Sequence, residues 1–144
     1  MAALFVINLA RSAQRLANTQ TQLARVNLPF ERIDAVDGAQ LSTHQKYLHY
    51  SPQLNIQQYH YPLSNGQIGC YLSHRKAWQK IVDEKLKYAI VLEDDFYIDD
   101  SIHNAIKNIE QLNQPWQLIK LAAYENRTRP IAYQQNLNNH QQIV

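Results

Sequence analysis

Apolar runs and helical periods alternate along the first part of the chain. Residues 4–9 form a short apolar run typical of a buried strand, and residues 13–26 repeat apolar positions at helical spacing, with Ser12 placed to cap that helix. Residues 30–36 alternate apolar and polar side chains and are closed by Asp37-Gly38. The pattern predicts a strand, a helix and a second strand that adds beside the first.

Residues 39–63 keep no sustained period and contain Pro52 and Pro62, so we expect an irregular excursion with a short helix near residues 42–50. Several tyrosines occur in this segment. Their flat amphipathic rings could stack on a sugar or a base, or they could pack the loop onto the domain; they are Tyr47, Tyr50, Tyr59 and Tyr61.

After Asn65-Gly66 a strong helix is predicted to about Leu86, and the apolar run 89–92 follows it as a strand buried on both faces. The stripe assigned to this helix consists of Ile68, Leu72, Trp78, Ile81 and Val82. Strands that alternate with helices predict an α/β fold with a mainly parallel sheet and right-handed crossovers.

The C-terminal part is less regular. A helix is predicted from Asp99 or Ser101 to Leu112 and a strand over residues 116–122. Residues 124–144 are rich in Gln and Asn and stop on an apolar pair that could begin another strand. We therefore expect one domain over residues 1–144 that is incomplete at its C-terminus.

Composition excludes several classes of protein. The formal charge is +2 over 144 residues and the basic side chains are dispersed, which argues against a nucleic-acid surface. A lone cysteine, Cys70, excludes an internal disulfide, favours a cytoplasmic location and is expected to be a buried structural thiol. No run approaches the roughly 20 apolar residues that span a bilayer, so at most peripheral membrane contact is expected.

Three consecutive carboxylates, Glu93, Asp94 and Asp95, follow the strand at 89–92. Ligands of open α/β sheets bind at the carboxyl ends of strands, and clustered carboxylates favour a hard divalent cation such as Mn²⁺ or Mg²⁺. We expect Asp95 to be the direct metal ligand, with Glu93 on the same side. Glu93 or Asp94 could instead reach a ribose or a metal-bound water. A solvated acidic turn that starts the next helix explains the same residues.

The end of the first strand and the start of its helix carry Asn8, Arg11 and Arg15. Arginines opposing the dipole at a helix start indicate an anion such as a diphosphate, although ordinary surface arginines give the same pattern. All three are candidate donor-binding residues.

Three further candidates are Asp34, Asp37 and His74. Either aspartate could accept hydrogen bonds from a ribose or uracil, or simply belong to a turn. His74 could contact a phosphate, hold an acid, or pack as an ordinary helical histidine.

Four blocks together resemble glycosyltransferase family 25, which includes lipopolysaccharide-extending and collagen galactosyltransferases. The matching blocks are Val6-Ile7-Asn8-Leu9 with Arg11, Ser12 and Arg15; Phe30 with Asp34-Ala35-Val36-Asp37-Gly38; residues 63–70 with Leu72-Ser73-His74; and residues 89–95. The order of the blocks is more specific than any one of them.

The resemblance implies a GT-A-like, Rossmann-like three-layer fold and a metal-dependent transfer of a sugar, galactose by preference, from a UDP-sugar to a lipopolysaccharide or lipooligosaccharide acceptor at the inner face of the inner membrane. Gln67 departs from the family, whose members commonly carry Glu there. The general base is expected outside this chain, so no catalytic residue is assigned. The alternative is a truncated or degenerate binding module without activity.

Overall fold

A computed structural model describes residues 2–59 and 61–121, together with the backbone of residues 135–138 and 141–143. The chain falls into two compact units, Met1–Ile98 and Asp99–Val144. Its elements in chain order are β1 (Ala3–Asn8), α1 (Ala13–Arg25), β2 (Glu31–Asp34), α2 (Thr43–Tyr47), α3 (Pro52–Gln58), α4 (Asn65–Asp83), β3 (Ala89–Glu93), α5 (Ser101–Glu110), β4 (Gln135–Asn138) and β5 (Gln141–Ile143).

The first unit is built on an all-parallel sheet with the strand order β2-β1-β3. β1 lies in the middle, with strands at both of its edges, and its side chains from Leu4 to Asn8 are all buried. The predicted α/β class, the parallel sheet and its three strands are confirmed. β3 is less buried than expected, with only Ile90 fully covered, because among the described residues it is an edge strand.

Two helices cover the sheet. The chain moves from β1 to β2 in one direction and returns past β1 to β3. Crossovers between parallel strands are right-handed in nearly all proteins, and this rule would place α1 and α4 on opposite faces. On the α4 face, the core consists of Phe5, Ile7, Ile33 and Ala77. The result is the layered, Rossmann-like arrangement expected from the sequence.

The predicted apolar stripe of α4 is partly wrong. Trp78 and Val82 are 45% and 68% exposed, whereas small residues of the helix, including Gly69 and Ala77, are buried. Small side chains let the helix backbone approach the sheet and its loops closely, and large ones would hold it away. A pattern of large apolar residues therefore indicates the wrong face of α4 near the C-terminal end of the helix.

The excursion between β2 and α4 contains two short helices, where one was predicted. The Ser42 hydroxyl caps α2 in a capping box with Gln45, and the Ser51 hydroxyl accepts a hydrogen bond from the Leu54 backbone N–H to cap α3. Pro52 is a helix-starting residue here, because proline at the first helical position loses no hydrogen bond.

The second unit contains α5 and a short antiparallel hairpin of β4 and β5. The helix agrees with its prediction. The strand predicted over residues 116–122 is wrong for residues 116–121, which form no strand; Leu118 is 79% exposed. Residue 122 and residues 124–134 of the predicted tail lie outside the described residues.

Close backbone contact fixes the loop after β2 against the start of α4. A Cβ added at Gly69 would lie 2.6 Å from the Val36 carbonyl oxygen, and one added at Gly38 would lie 1.7 Å from the Asn65 carbonyl oxygen. The buried Ser73 hydroxyl accepts from the Val36 N–H at 2.8 Å and donates to the Gly69 carbonyl at 2.7 Å. This contact sets the position of α4 relative to the strand ends.

Candidate functional site at the strand ends

The candidate site lies where the strand order reverses. In open α/β sheets, the crevice at such a reversal, beyond the carboxyl ends of the strands, is where ligands bind. Here the reversal falls at β1, and the crevice lies between the ends of β1 and β3. Asn8 ends β1, and Glu93 ends β3 with Asp94 directly after it.

Asn8 connects the three strand ends. Its side chain is buried, and its Nδ2 donates to Asp94 Oδ2 at 2.6 Å and to the Ser12 carbonyl at 3.2 Å. Its Oδ1 accepts from Arg32 Nε at 2.9 Å. A buried amide satisfied on both sides fixes the crevice geometry. Asn8 therefore positions the acidic end of β3 as well as facing it.

The two predicted arginines are both paired with carboxylates. Arg15 Nη1 lies 3.1 Å from Asp94 Oδ1 and 4.0 Å from Asp95 Oδ2, and Arg11 forms an ion pair with Asp37. Both arginine side chains remain more than half exposed, so an anion can reach them. Arg11 precedes α1, which begins at Ala13, so only Arg15 lies on that helix.

Arg32 is a site residue that the sequence did not single out. It donates to Asn8 through Nε and to the Asn8 carbonyl through Nη2, and it pairs with Asp34 at 2.7 Å. The backbone carbonyl of Asp34 also accepts a hydrogen bond from Lys76 Nζ at 3.0 Å. The sequence contained one signal for Arg32: it lies inside a strand of alternating apolar and polar residues, where the charge of an arginine needs a partner.

Glu93 points to α4. His74 Nε2 lies 3.2 Å from Glu93 Oε1, so His74 holds an acid, one of the roles considered for it. Cys70 Sγ lies 3.8 Å from the same oxygen. Cys70 is exposed, and the expectation of a buried thiol is wrong: its helix position faces the strand end, not the core. Partial desolvation, then the Glu93 and Asp95 carboxylates, raises the pKa of Cys70.

The three carboxylates are in different environments. The Asp94 side chain is only 10% exposed and bonds to Asn8 and Arg15, whereas the Glu93 and Asp95 side chains are 54% and 66% exposed. Exposed carboxylate oxygens suit a hard divalent cation, so Glu93 and Asp95 fit the donor set that Mn²⁺ or Mg²⁺ requires. The metal assignment to these two residues stays a prediction.

Gln67 takes part in an N-terminal capping box. The Ser64 hydroxyl accepts from the Gln67 N–H at 3.2 Å, and Gln67 Oε1 accepts from the Ser64 N–H at 2.8 Å. Gln serves this motif as well as Glu does. The substitution noted in the sequence therefore leaves the start of α4 intact.

The tyrosines of the excursion have two environments. The Tyr50 hydroxyl accepts a hydrogen bond from the Leu63 N–H at 3.2 Å, which ties the excursion to the start of α4. The rings of Tyr47, Tyr59 and Tyr61 are all more than half exposed. Packing accounts for Tyr50, and a stacking role stays open for the others.

Within the described part of the chain, no helix is long and apolar enough to cross a membrane.

The parallel sheet and its helices define a class, the Rossmann-like α/β proteins, and the cluster of arginines and carboxylates lies where proteins of that class bind ligands. A narrower assignment comes from comparison with known sequences. The model for Glycosyltransferase family 25 (LPS biosynthesis protein) matches residues 1–141. The chain belongs to glycosyltransferase family 25.

Curated relatives include active and inactive members. The chain is 32% identical to human procollagen galactosyltransferase 2 over 123 residues, 81% of this chain and 20% of the relative. It is 31% identical to zebrafish procollagen galactosyltransferase 1 over 128 residues, 87% and 21% of the two chains. It is 32% identical to mouse inactive glycosyltransferase 25 family member 3 over 126 residues, 81% and 21%. The chain spans about a fifth of the length of these relatives.

Proposed function

We propose that this chain binds a UDP-sugar together with Mn²⁺ or Mg²⁺ at the ends of β1 and β3, and that it acts as a glycosyltransferase. The observation that carries the proposal is the cluster in which Asn8, Arg15 and Asp94 meet at the strand reversal. Family membership supplies the reaction class, and the curated galactosyltransferases favour galactose as the sugar.

The charges of the cluster suit a diphosphate and a cation bound together. Arg15 is balanced by Asp94 and Asp95 in the free protein. A cation bound to Glu93 and Asp95 would neutralise these two carboxylates. The exposed Arg15 side chain could then bind a phosphate oxygen. When bound, the cation supplies electrostatic stabilisation of the diphosphate as it leaves the sugar.

The remaining residues orient the donor. Asn8 holds Asp94 in place, and Arg32 in turn holds Asn8 and Asp34. Asp34 and Asp37, at the end of β2 and in the following loop, are candidate acceptors for ribose or uracil hydrogen bonds. His74 lies against Glu93 and would orient that carboxylate. No general base is assigned to a described residue.

Isothermal titration calorimetry with UDP, with and without Mn²⁺, tests the donor site. UDP should bind more tightly in the presence of Mn²⁺, and Asp95→Ala should remove this gain in affinity because it eliminates an exposed ligand of the cation. Asp83→Ala is the matched control, because Asp83 ends α4 and is hydrogen-bonded to Gln79 away from the strand ends. If Asp95→Ala binds UDP with unchanged metal dependence, the metal assignment is wrong.

The family description favours a lipopolysaccharide or lipooligosaccharide acceptor, reached at the cytoplasmic face of the inner membrane. Sugar transfer from UDP-galactose to a truncated lipooligosaccharide, compared with transfer to a collagen peptide, tests this choice. Transfer to the collagen peptide alone would refute it.

The second candidate function is a binding module without turnover. It is favoured by the inactive family member among the curated relatives. Mn²⁺-dependent UDP binding without transfer or donor hydrolysis would support it. Turnover that Asp95→Ala abolishes would exclude it.

A further inference from the structure

Three different metal-ligating side chains converge beside the proposed donor site. Cys70 and His74 lie four residues apart on α4 and so share one face of the helix, and Glu93 approaches them from the end of β3. One ligand atom from each residue lies within 4.8 Å of the other two. Among the described residues, this is the group of three such side chains that comes close enough to hold one ion.

Two of the three separations are close to those of a tetrahedral zinc site. With bond lengths of about 2.0–2.3 Å to Zn²⁺, tetrahedral angles place a nitrogen and an oxygen ligand about 3.4 Å apart, and a sulfur and an oxygen about 3.6 Å apart. His74 Nε2 and Glu93 Oε1 are 3.2 Å apart, and Cys70 Sγ and Glu93 Oε1 are 3.8 Å apart. The third separation, between Cys70 Sγ and a His74 ring nitrogen, is no more than 4.8 Å, against about 3.6 Å in a tetrahedral site, so an ion can bind after side-chain adjustment.

The ligand set selects a different ion from the one proposed for the donor. Mn²⁺ and Mg²⁺ prefer oxygen ligands, whereas a thiolate and an imidazole favour Zn²⁺ or Co²⁺. Three protein ligands also leave a fourth position open to water or to another ligand. We propose that Cys70, His74 and Glu93 form a three-ligand site for a thiophilic divalent cation, with Zn²⁺ as the preferred ion.

Zinc binding has a defined chemical balance. The Cys70 thiol loses its proton to the solvent as the Zn–S bond forms, His74 binds through neutral Nε2, and Glu93 binds as the carboxylate. No oxidant or further reactant is needed. Since Glu93 is also a candidate ligand of the donor cation, Zn²⁺ should compete with Mn²⁺-supported UDP binding; this consequence, unlike the site itself, rests on the proposed function.

Cobalt spectroscopy tests the site on the whole chain. Because the chain has one cysteine, any thiolate-to-cobalt charge-transfer band that appears on adding Co²⁺ must come from Cys70. We expect a 1:1 tetrahedral spectrum that Zn²⁺ displaces. Cys70→Ser should abolish the band and weaken Zn²⁺ binding by at least about a hundredfold, more than the loss of an outer hydrogen bond to a ligand.

Two further variants distinguish the site from an adventitious thiol contact. His74→Ala should weaken Zn²⁺ binding strongly, whereas His44→Ala, which removes an exposed imidazole of α2, should leave it unchanged. A band that survives both His74→Ala and Glu93→Gln would overturn the proposal, because cobalt would then need only the thiol. Absence of the band in the unmodified chain would also overturn it.

A crossed pair of variants separates this site from the donor site. Asp95→Asn should keep the cobalt–thiolate band, whereas Cys70→Ser should keep Mn²⁺-dependent UDP binding and lose its inhibition by Zn²⁺. If UDP does not bind in the absence of Zn²⁺, the proposed function fails while the band still decides the zinc site. If Asp95→Asn loses the band, the site does not consist of Cys70, His74 and Glu93 alone, and the proposal is wrong.

Discussion

At the scale of single residues, Asn8 connects segments that are far apart in the chain. Its side chain bonds to Asp94, to Ser12 and to Arg32, so it joins parts of the chain that are up to 86 residues apart. A residue of this kind contributes to stability as well as to binding.

Replacing Asn8 tests that double role. Asn8→Ala removes one hydrogen-bond partner from each of the partly buried Arg32 and Asp94 side chains, and we expect it to lower the free energy of unfolding by about 1–3 kcal/mol. Urea denaturation measures the change. Asn18→Ala is the control, since Asn18 is exposed on α1 and bonds only to Gln14 among the hydrogen bonds described. Equal stabilities for the two variants would contradict the role given to Asn8.

The raised pKa of Cys70 predicts its reactivity in the metal-free protein. A raised pKa means less thiolate at neutral pH, so alkylation by iodoacetamide should be slower than for a free cysteine in spite of the exposure of Cys70. Any stability linked to this thiol is present below its ordinary pKa and is lost as the pH rises through the raised one.

Rates of alkylation measured against pH provide the check. The midpoint should lie above that of cysteine in an unfolded peptide. Glu93→Gln removes a carboxylate that raises this pKa, so its midpoint should move back towards the ordinary value. A midpoint unchanged by Glu93→Gln would show that desolvation alone sets the reactivity.

Which site residues the sequence can predict depends on the range of their contacts. Glu93, Asp94 and Asn8 were found because strand ends are recognisable from apolar runs. The contact of His74 with an acid is one of several roles that the sequence allows, because its partner, Glu93, lies 19 residues further along the chain. Arg32 was missed, since nothing local indicates that a strand arginine will reach a neighbouring strand.

At the scale of elements, α4 is positioned by its smallest residues. Gly69 lies against Val36 and Gly38, and Ser73 binds the same loop, so the helix and the end of β2 are held at backbone distance. Strands and long helices were predictable from their periods. The identity of the packed face of α4 was not, because the residues that decide it carry little hydrophobic signal.

Two glycines of α4 give a matched test. Replacing a helical glycine by alanine normally stabilises a helix by about 0.5–1 kcal/mol, and Gly66→Ala should do so, since its new methyl group would lie 3.8 Å from Ser64 Oγ. Gly69→Ala would place a methyl group 2.6 Å from the Val36 carbonyl oxygen. We expect it to destabilise the protein by about 1–3 kcal/mol.

Thermal unfolding of the two variants distinguishes packing from helix propensity. If Gly69→Ala stabilises the protein as Gly66→Ala does, the close contact between α4 and the loop after β2 is wrong. Gly69→Ala should also weaken UDP binding if the donor site depends on where α4 holds His74.

At the scale of the whole molecule, acidic residues and arginines from distant segments lie together at the carboxyl ends of the strands, where the strand order reverses at β1. Each predicted donor residue belongs to the first unit, Met1–Ile98. Their charges largely cancel in the free protein through the pairs of Arg11 with Asp37 and of Arg15 with Asp94. A cation or a diphosphate that binds without the other must therefore compete with one of these ion pairs.

This balance predicts positive coupling between the two ligands. UDP should bind at least about fivefold more tightly in the presence of saturating Mn²⁺, and Mn²⁺ should gain the same factor from UDP, a coupling of about 1–3 kcal/mol. Calorimetry in both directions measures it. In Arg15→Gln the acids lose their internal partner, so Mn²⁺ alone should bind more tightly than in the unmodified chain and the coupling should shrink. Independent binding of UDP and Mn²⁺ would contradict the pairing.

The central place of β1 in the sheet also bears on how the protein is made. β1 is synthesised before β3, so one of its edges has no described neighbour until β3 follows, with 86 residues separating Asn8 from Asp94. At about 5–20 residues per second, translation of that interval takes roughly 4 to 17 s. For that time the nascent chain carries an apolar strand with an open edge, which makes it a natural client for a chaperone at the ribosomal exit.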